Sequence, residues 1–292
     1  MSRIELPPIT KTRLVADLKK LGIASGDTLM LHASVKAIGW IVGGPDIVIQ
    51  ALLDVLWPEG TLMMYVGWED SPYDSKHWSR ELQQAYLEEC PPFDPVKSRA
   101  YRKWSILTEY LRTWPGAFRS GHPEASCAAV GAKAEWLTED HPLQYGYGAG
   151  SPLAKLYEAK GKVLLLGAPF DALTILHYAE HVANVPNKRI VHYEMPMLQD
   201  GQKIWVKIEE FDTCGTILPN AKDYFQTIPR EYLSSARGRS GKVGEAQSHL
   251  FDAVEFVKFA VEWIERKFLT QPFDKREGKF IGWTSNKKGE WG

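Results

Sequence analysis

The chain reads as an α/β protein, and three observations predict that class. Residues 28–67 run strand, loop, helix, strand: TLMLHA, a glycine-bearing loop, PDIVIQALLDVLW, then GTLMMYVG. That order fits two parallel strands joined by a crossover helix. Residues 161–185, GKVLLLGAPFDALTILHYAEHVANV, open on a short apolar run that stops at Gly167, as a strand buried on both faces does, and pass through a turn into a helical pattern. Composition supplies the third: 292 residues, 44% hydrophobic and 24% charged, describe one large globular domain, or one with an appendage.

Each element has a local reason. Thr10 can cap a helix that carries Leu14, Leu18 and Leu21 on one face and closes at Gly22. The strand at 28–33 leads into SVKAIGWIVGG, a loop in which Gly39, Gly43 and Gly44 allow close backbone approach to a ligand and Lys36 adds a point charge. A plain Gly-rich turn reads the same way, and neither a P-loop nor a G-x-G-x-x-G fingerprint is present. Pro45 sits in the first turn of the next helix. From residue 67 to about 118 periodicity fades, and CPPFDP marks an insertion expected to lie over the ligand edge of the sheet. CAAVG at 127–131 is a further buried strand, HPLQYGYGAGSP a Gly-rich loop, and 152–160 a helix. RIVHYEMPML and KIWVKIEEF alternate across Asp200-Gly201, a hairpin signal. KVGEAQSHLFDAVEFVKFAVEWIERKF is read as a glycine-led approach to a helix ending near Phe268. Residues 1–270 are expected to form one domain and 271–292 an extension.

The central helix after Asp171, its candidate N-cap, should end before Pro186. At ~100° per residue, Ile175, Leu176, Tyr178, Ala179, Val182 and Ala183 share one arc. Thr174, His177, Glu180, His181 and Asn184 share the other, which holds no Lys or Arg. A solvated face gives this pattern too, but a hydroxyl, two imidazoles, a carboxylate and an amide suit a cleft.

Other classes are bounded by what the chain carries. A net charge of −1 gives no nucleic-acid footprint. Three separated cysteines, Cys90, Cys127 and Cys214, with no C-x-x-C pair, fit a reduced, cytoplasmic chain. No secretory h-region or membrane-length apolar run is seen. His177-Tyr178-Ala179-Glu180-His181 matches H-x-x-E-H, the inverted zincin pattern, in which two His hold Zn²⁺ and Glu acts as base. A zinc hydrolase is therefore one alternative. Ser34, Ser126 and Cys127 near His32 or His122 suggest a serine or cysteine hydrolase only weakly, since no G-x-S-x-G elbow exists.

Seven blocks in order, HASVKAIGWIVGG, GTLMMYVGWEDSPYD, CPPFDP, RSGHPEAS, GSPLAKL, KVLLLGAPFDALTILHYAEHVANVPNKR and YEMPM, resemble the aminoglycoside 3-N-acetyltransferase family over about Thr10 to Phe268. The resemblance implies a three-layer α/β/α sandwich around a mixed, largely parallel sheet. The Q/R-x-x-G-x-G/A signature of the larger acetyltransferase superfamily is absent, so that fold is not implied. It also implies direct transfer of acetyl from acetyl-CoA to the 3-amine of a 2-deoxystreptamine antibiotic in a ternary complex, with no metal. The family's histidine falls on His177, its nearby acid on Glu180 and its threonine on Thr174, and an acid associated with substrate or catalysis on Asp212. Its CoA loop matches Ser34, Val35, Lys36, Ala37 and Gly39, and its His-Pro-x-x-Ser motif His122 and Ser126. Glu69, Asp70 and Asp74, with Tyr73 among them, would hold ammonium groups together with Asp212. His181 and Cys127 are read as structural. An N-acetyltransferase acting on another amine, and either a monomer or a homodimer, fit the same residues.

Overall fold

The computed structural model describes residues 7–186, 188–212, 217, 224–269, 273–274 and 279–280. Helix α1 (Lys11–Leu21) begins where the Thr10 hydroxyl accepts from the Arg13 amide at 3.2 Å and ends on Gly22 at φ 111°, as the sequence predicts. Strand β1 (Thr28–Ala33) follows, then a short helix α2 (Val35–Ile38) inside the expected loop, then α3 (Asp46–Leu56) and β2 (Thr61–Tyr65). The insertion is not structureless. It carries a 3₁₀ turn at Tyr73–His77, α4 (Arg80–Glu89), capped by Ser79, and α5 (Ile106–Arg112), capped by Ser105. Strands β3 (Phe118–Arg119) and β4 (Cys127–Gly131) lead to α6 (Ala134–Thr138), α7 (Pro152–Glu158) and β5 (Lys162–Leu166).

The central helix α8 spans Ile175–Val182, shorter than expected. Asp171 does not cap it: Phe170–Ala172 forms a separate 3₁₀ turn and Thr174 takes the cap position. The hairpin of β6 (Ile190–Gln199) and β7 (Gln202–Phe211) turns at Asp200 and Gly201 with φ of 50° and 77°, the paired positive values of a tight hairpin turn. Helix α9 (Tyr224–Ser234) precedes β8 (Arg239–Val243), β9 (Ala246–Asp252) and α10 (Ala253–Leu269). The second hairpin, β8–β9, corrects the reading of 242–252 as a helix approach. Its inward positions include Ala246 and Ser248, too small and too polar to show a hydrophobic alternation. Of the expected extension, 273–274 and 279–280 are described, as a short antiparallel pair.

The main sheet has the order β3-β4-β2-β1-β5-β9-β8. β1 is parallel to both β2 and β5, and the outer pairings are antiparallel. Five of the seven strands therefore point one way, with β4 and β9 against them. Alternate side chains feed two cores. Leu29, Leu31, Leu164 and Leu166 pack under α1, α3 and α5; Met30, Met63, Val163 and Leu165 pack under α6 to α10. This is the three-layer sandwich that the resemblance implies, and it explains why β1 is buried along its whole length.

The two layers set the site. After β1 the chain enters the α3 layer to reach β2, and after β5 it enters the α8 layer, so adjacent parallel strand ends diverge. A crevice opens at such a switch point. Gly167, at φ 66°, makes the contact close: a Cβ there would lie 2.6 Å from the Ala37 Cβ. Loop 34–39 and the turn that leaves β5 toward α8 thus meet at one end of the parallel strands.

Candidate active site

The polar arc of α8 is largely covered, though Asn184 at its end is exposed. Glu180 is 0% exposed, whereas Val182, assigned to the apolar arc, is 50% exposed. His177 Nδ1 lies 2.7 Å from Glu180 Oε2, a pairing that residues three apart on a helix can make. A carboxylate only accepts, so Nδ1 carries the proton and Nε2 presents a lone pair. The side chain of His177 keeps 19% exposure, enough for a substrate atom to reach it. Glu180 Oε1 is buried with no hydrogen-bond partner among the described residues.

Two rings bracket the imidazole. Tyr147 and Phe225 each stand with their centroids 5.0 Å from that of His177, tilted at 46° and 48°. Tyr147 is held in turn by a 2.8 Å contact between its hydroxyl and that of Tyr65, which donates to the Glu124 carbonyl at 3.0 Å. Burial raises both phenol pKa values far above the ordinary range, so both stay protonated. Trp104 of the insertion stacks on Tyr65 at 4.6 Å. Sequence reasoning missed Tyr147, Phe225 and Tyr65. The signal for Tyr147 was the glycine on either side of it: Cβ atoms at Gly146 and Gly148 would lie 2.6 Å from His122 Nε2 and from His181 Nδ1. Phe225 carried no signal.

His181 makes the second pair on α8. Its Nε2 lies 2.8 Å from Glu210 Oε1 of β7, off the line of a good hydrogen bond, and both side chains are under a tenth exposed. Lys188 closes the helix, donating to the His181 carbonyl at 2.8 Å. Burial lowers the Lys188 pKa, against the pull of Glu180 and Glu265. The H-x-x-E-H spacing thus serves two His–carboxylate pairs. Among the described residues no group of three or more His, Cys, Asp or Glu is placed to hold a metal ion.

Several expected ligands have other partners. His122 is 0% exposed: Nδ1 accepts from the Glu124 and Ala125 amides at 3.1 and 2.8 Å, and Nε2 meets the Leu143 carbonyl at 3.2 Å. Burial, with His141 beside it, lowers its pKa to about 3. Ser126, also 0% exposed, accepts from Arg119 and donates to the Gly67 carbonyl. Both fix loops whose backbone would otherwise be unsatisfied when buried. Glu69 accepts from the Arg102 amide at 2.9 Å and Asp70 pairs with Arg99 at 2.8 Å, so both brace the insertion. Tyr73 packs edge-on against Tyr193 at 4.9 Å, and Asp74 is exposed on the 3₁₀ turn beside it. Asp212, 3% exposed, is paired with Arg189. Thr174 is 7% exposed and its hydroxyl makes a weak 3.4 Å bond to the Ala172 carbonyl, which leaves it free to turn. Cys127 is buried in the sheet, as expected, and burial pushes its thiol pKa up.

Residues 30–265 match the sequence model of a family described as aminoglycoside 3-N-acetyltransferase. Aminoglycoside N(3)-acetyltransferase III of Pseudomonas aeruginosa is 49% identical over 261 residues, which cover 89% of this chain and 95% of that relative. The structure described as AAC-IIIb binary with CoASH superposes with a TM-score of 0.84 at 49% identity, over 91% of this chain and 100% of the other. AAC-VIa bound to sisomicin superposes at 0.82 with 39% identity, over 89% and 99%. The chain belongs to the aminoglycoside 3-N-acetyltransferase family.

Proposed function

We propose that this protein transfers the acetyl group of acetyl-CoA to the 3-amine of a 2-deoxystreptamine aminoglycoside, in one step within a ternary complex, and so confers resistance. The observation that carries the reading is the His177–Glu180 pair on the helix that follows β5, the strand that pairs with β1 and whose Gly167 meets loop 34–39 at the switch point of the sheet. The relatives bound to CoASH and to sisomicin support both substrates.

His177 Nε2 takes the proton from the attacking amine as the N–C bond forms. Proton transfer at a developing ammonium is the task imidazoles serve near neutral pH. Glu180 holds the ring in the tautomer that leaves Nε2 free and stabilises the imidazolium once it forms. The Thr174 hydroxyl, or a backbone N–H of the same turn, donates to the thioester oxygen as charge grows there. The C–S bond then breaks, and the departing thiolate takes the proton that His177 holds. Ser34, Lys36 and Gly39, on the neighbouring strand end, receive the CoA arm. Asp74, exposed on the 3₁₀ turn, would receive ammonium groups of the drug, and Asp212 joins it if substrate displaces Arg189. Acetyl-CoA is a cytoplasmic metabolite, and no described helix is long and apolar enough to cross a membrane.

The test is thiol release from acetyl-CoA across a panel of aminoglycosides, with the acetylated nitrogen located by NMR. Turnover with the 3-amine modified is expected. Acetylation at another position, or no thiol release with any panel member, overturns the reading.

A further inference from the structure

One hydrogen bond does not fix an imidazole. The 2.7 Å contact between Nδ1 and Glu180 anchors a single ring atom of His177. The χ2 torsion of histidine is broad and roughly two-fold, so the ring plane has to be set by what packs against it. A ring that pivots about its anchor swings Nε2, the atom that meets the amine.

Two residues far apart in the chain stand in the way of that pivot. Tyr147 lies in the loop between α6 and α7, and Phe225 in the first turn of α9. Each ring centroid is 5.0 Å from that of His177, and the planes are tilted by 46° and 48°. Both neighbours are themselves held. Tyr147 is 8% exposed. Tyr65 gives its one hydroxyl proton to the Glu124 carbonyl, so Tyr147 donates to Tyr65 and its ring is tied at the far end to β2. Phe225 packs at 5.2 Å on Tyr224, which is 2% exposed and stacks on Trp263 of α10 at 6.4 Å. The imidazole plane is thus referred to the sheet through one ring and to α10 through the other.

We infer that Tyr147 and Phe225 are positioning residues that act through His177, holding the imidazole plane so that Nε2 faces the attacking amine. The inference rests on the transfer activity proposed above. An unclamped ring still visits the productive orientation for part of the time, so the loss is a fraction of that expected from deleting the base.

The experiment measures kcat and KM for thiol release from acetyl-CoA with an aminoglycoside of the panel. Tyr147→Leu and Phe225→Leu are compared in the wild-type and the His177→Ala backgrounds. In the first, each is expected to lower kcat about tenfold with both KM values within twofold. In the second, each is expected to change the residual rate less than twofold, because a residue that works through His177 then has nothing to work on. Tyr147→Phe and Phe225→Tyr, which keep a ring in place, are expected to restore kcat to within twofold of wild type. An equal loss in the two backgrounds, a loss carried by KM, or unchanged kcat in both leucine variants overturns the positioning role while leaving the transfer activity standing. Wild-type protein that releases no thiol with any panel member overturns the transfer reading and this inference with it.

Discussion

His177 and His181 stand one turn apart on α8, and each meets a carboxylate at nearly the same distance, 2.7 and 2.8 Å. Their partners differ. Glu180 belongs to the same helix, so that pair forms as soon as α8 does. Glu210 comes from β7, so the second pair exists only when the hairpin is docked. Their surroundings differ as well. His177 keeps 19% side-chain exposure and an Nε2 lone pair for the cleft, while His181 has 7%, with Nε2 against Glu210 and Nδ1 over Gly148. The same two residue types therefore make, on the function we propose, an acid–base pair in one place and a tie between a helix and a hairpin in the other. The spare ring nitrogen, not the His–carboxylate contact, separates them.

The comparison breaks most sharply at turnover. His177→Ala is expected to lower kcat by roughly 10² to 10⁴-fold, the usual size of general-base loss, with the fold intact by circular dichroism. His181→Ala is expected to cost turnover less than tenfold; equal losses in the two variants would erase the distinction. The next effect is on stability. Removing His181 or His177 takes the partner from a buried carboxylate, Glu210 or Glu180, and each loss is expected to cost roughly 1–3 kcal/mol, readable as a fall in the urea midpoint.

A further effect, smaller for each histidine and pH unit, comes from the buried histidines outside α8. Burial lowers the pKa of His32 to about 4, of His122 to about 3 and of His141 to about 4, against about 6.5 in the unfolded chain. Above pH 6.5 neither state binds these protons. As pH falls below 6.5 the unfolded chain takes them up and the folded one does not, so stability drops until the folded values are reached. Each histidine contributes about 1.4 kcal/mol per pH unit over that window. Urea midpoints between pH 6.5 and 4.5 should show the slope, and His141→Gln should flatten it by one proton's worth. An unchanged slope would mean that water reaches these rings.

Legibility from sequence followed the range of the interaction. α1, β1, α3 and the β6–β7 hairpin were readable because caps, turn glycines and apolar period act over a few residues. The β8–β9 hairpin was not, because its inward row includes Ala246 and Ser248 and its burial comes from neighbours. α4 was missed for the opposite reason: it buries no residue, so no core stamps a period on it. In the site, the His177–Glu180 spacing was visible, but the arginine partners of Glu69 and Asp70, Arg102 and Arg99, were not, because they sit about thirty positions away. His122 carried the family motif yet lies buried, holding backbone amides.

The linear chain by itself determined the α/β class, the helix that carries His177 three residues before Glu180, and the resemblance that predicted the reaction. All of these depend on contacts within a turn or on order along the chain. Only the folded molecule decided which carboxylates are free, which histidine keeps an open nitrogen, and that Tyr147 and Phe225 close on the imidazole. Those outcomes come from surfaces brought together across a hundred residues or from burial, and burial belongs to the surroundings rather than to the residue.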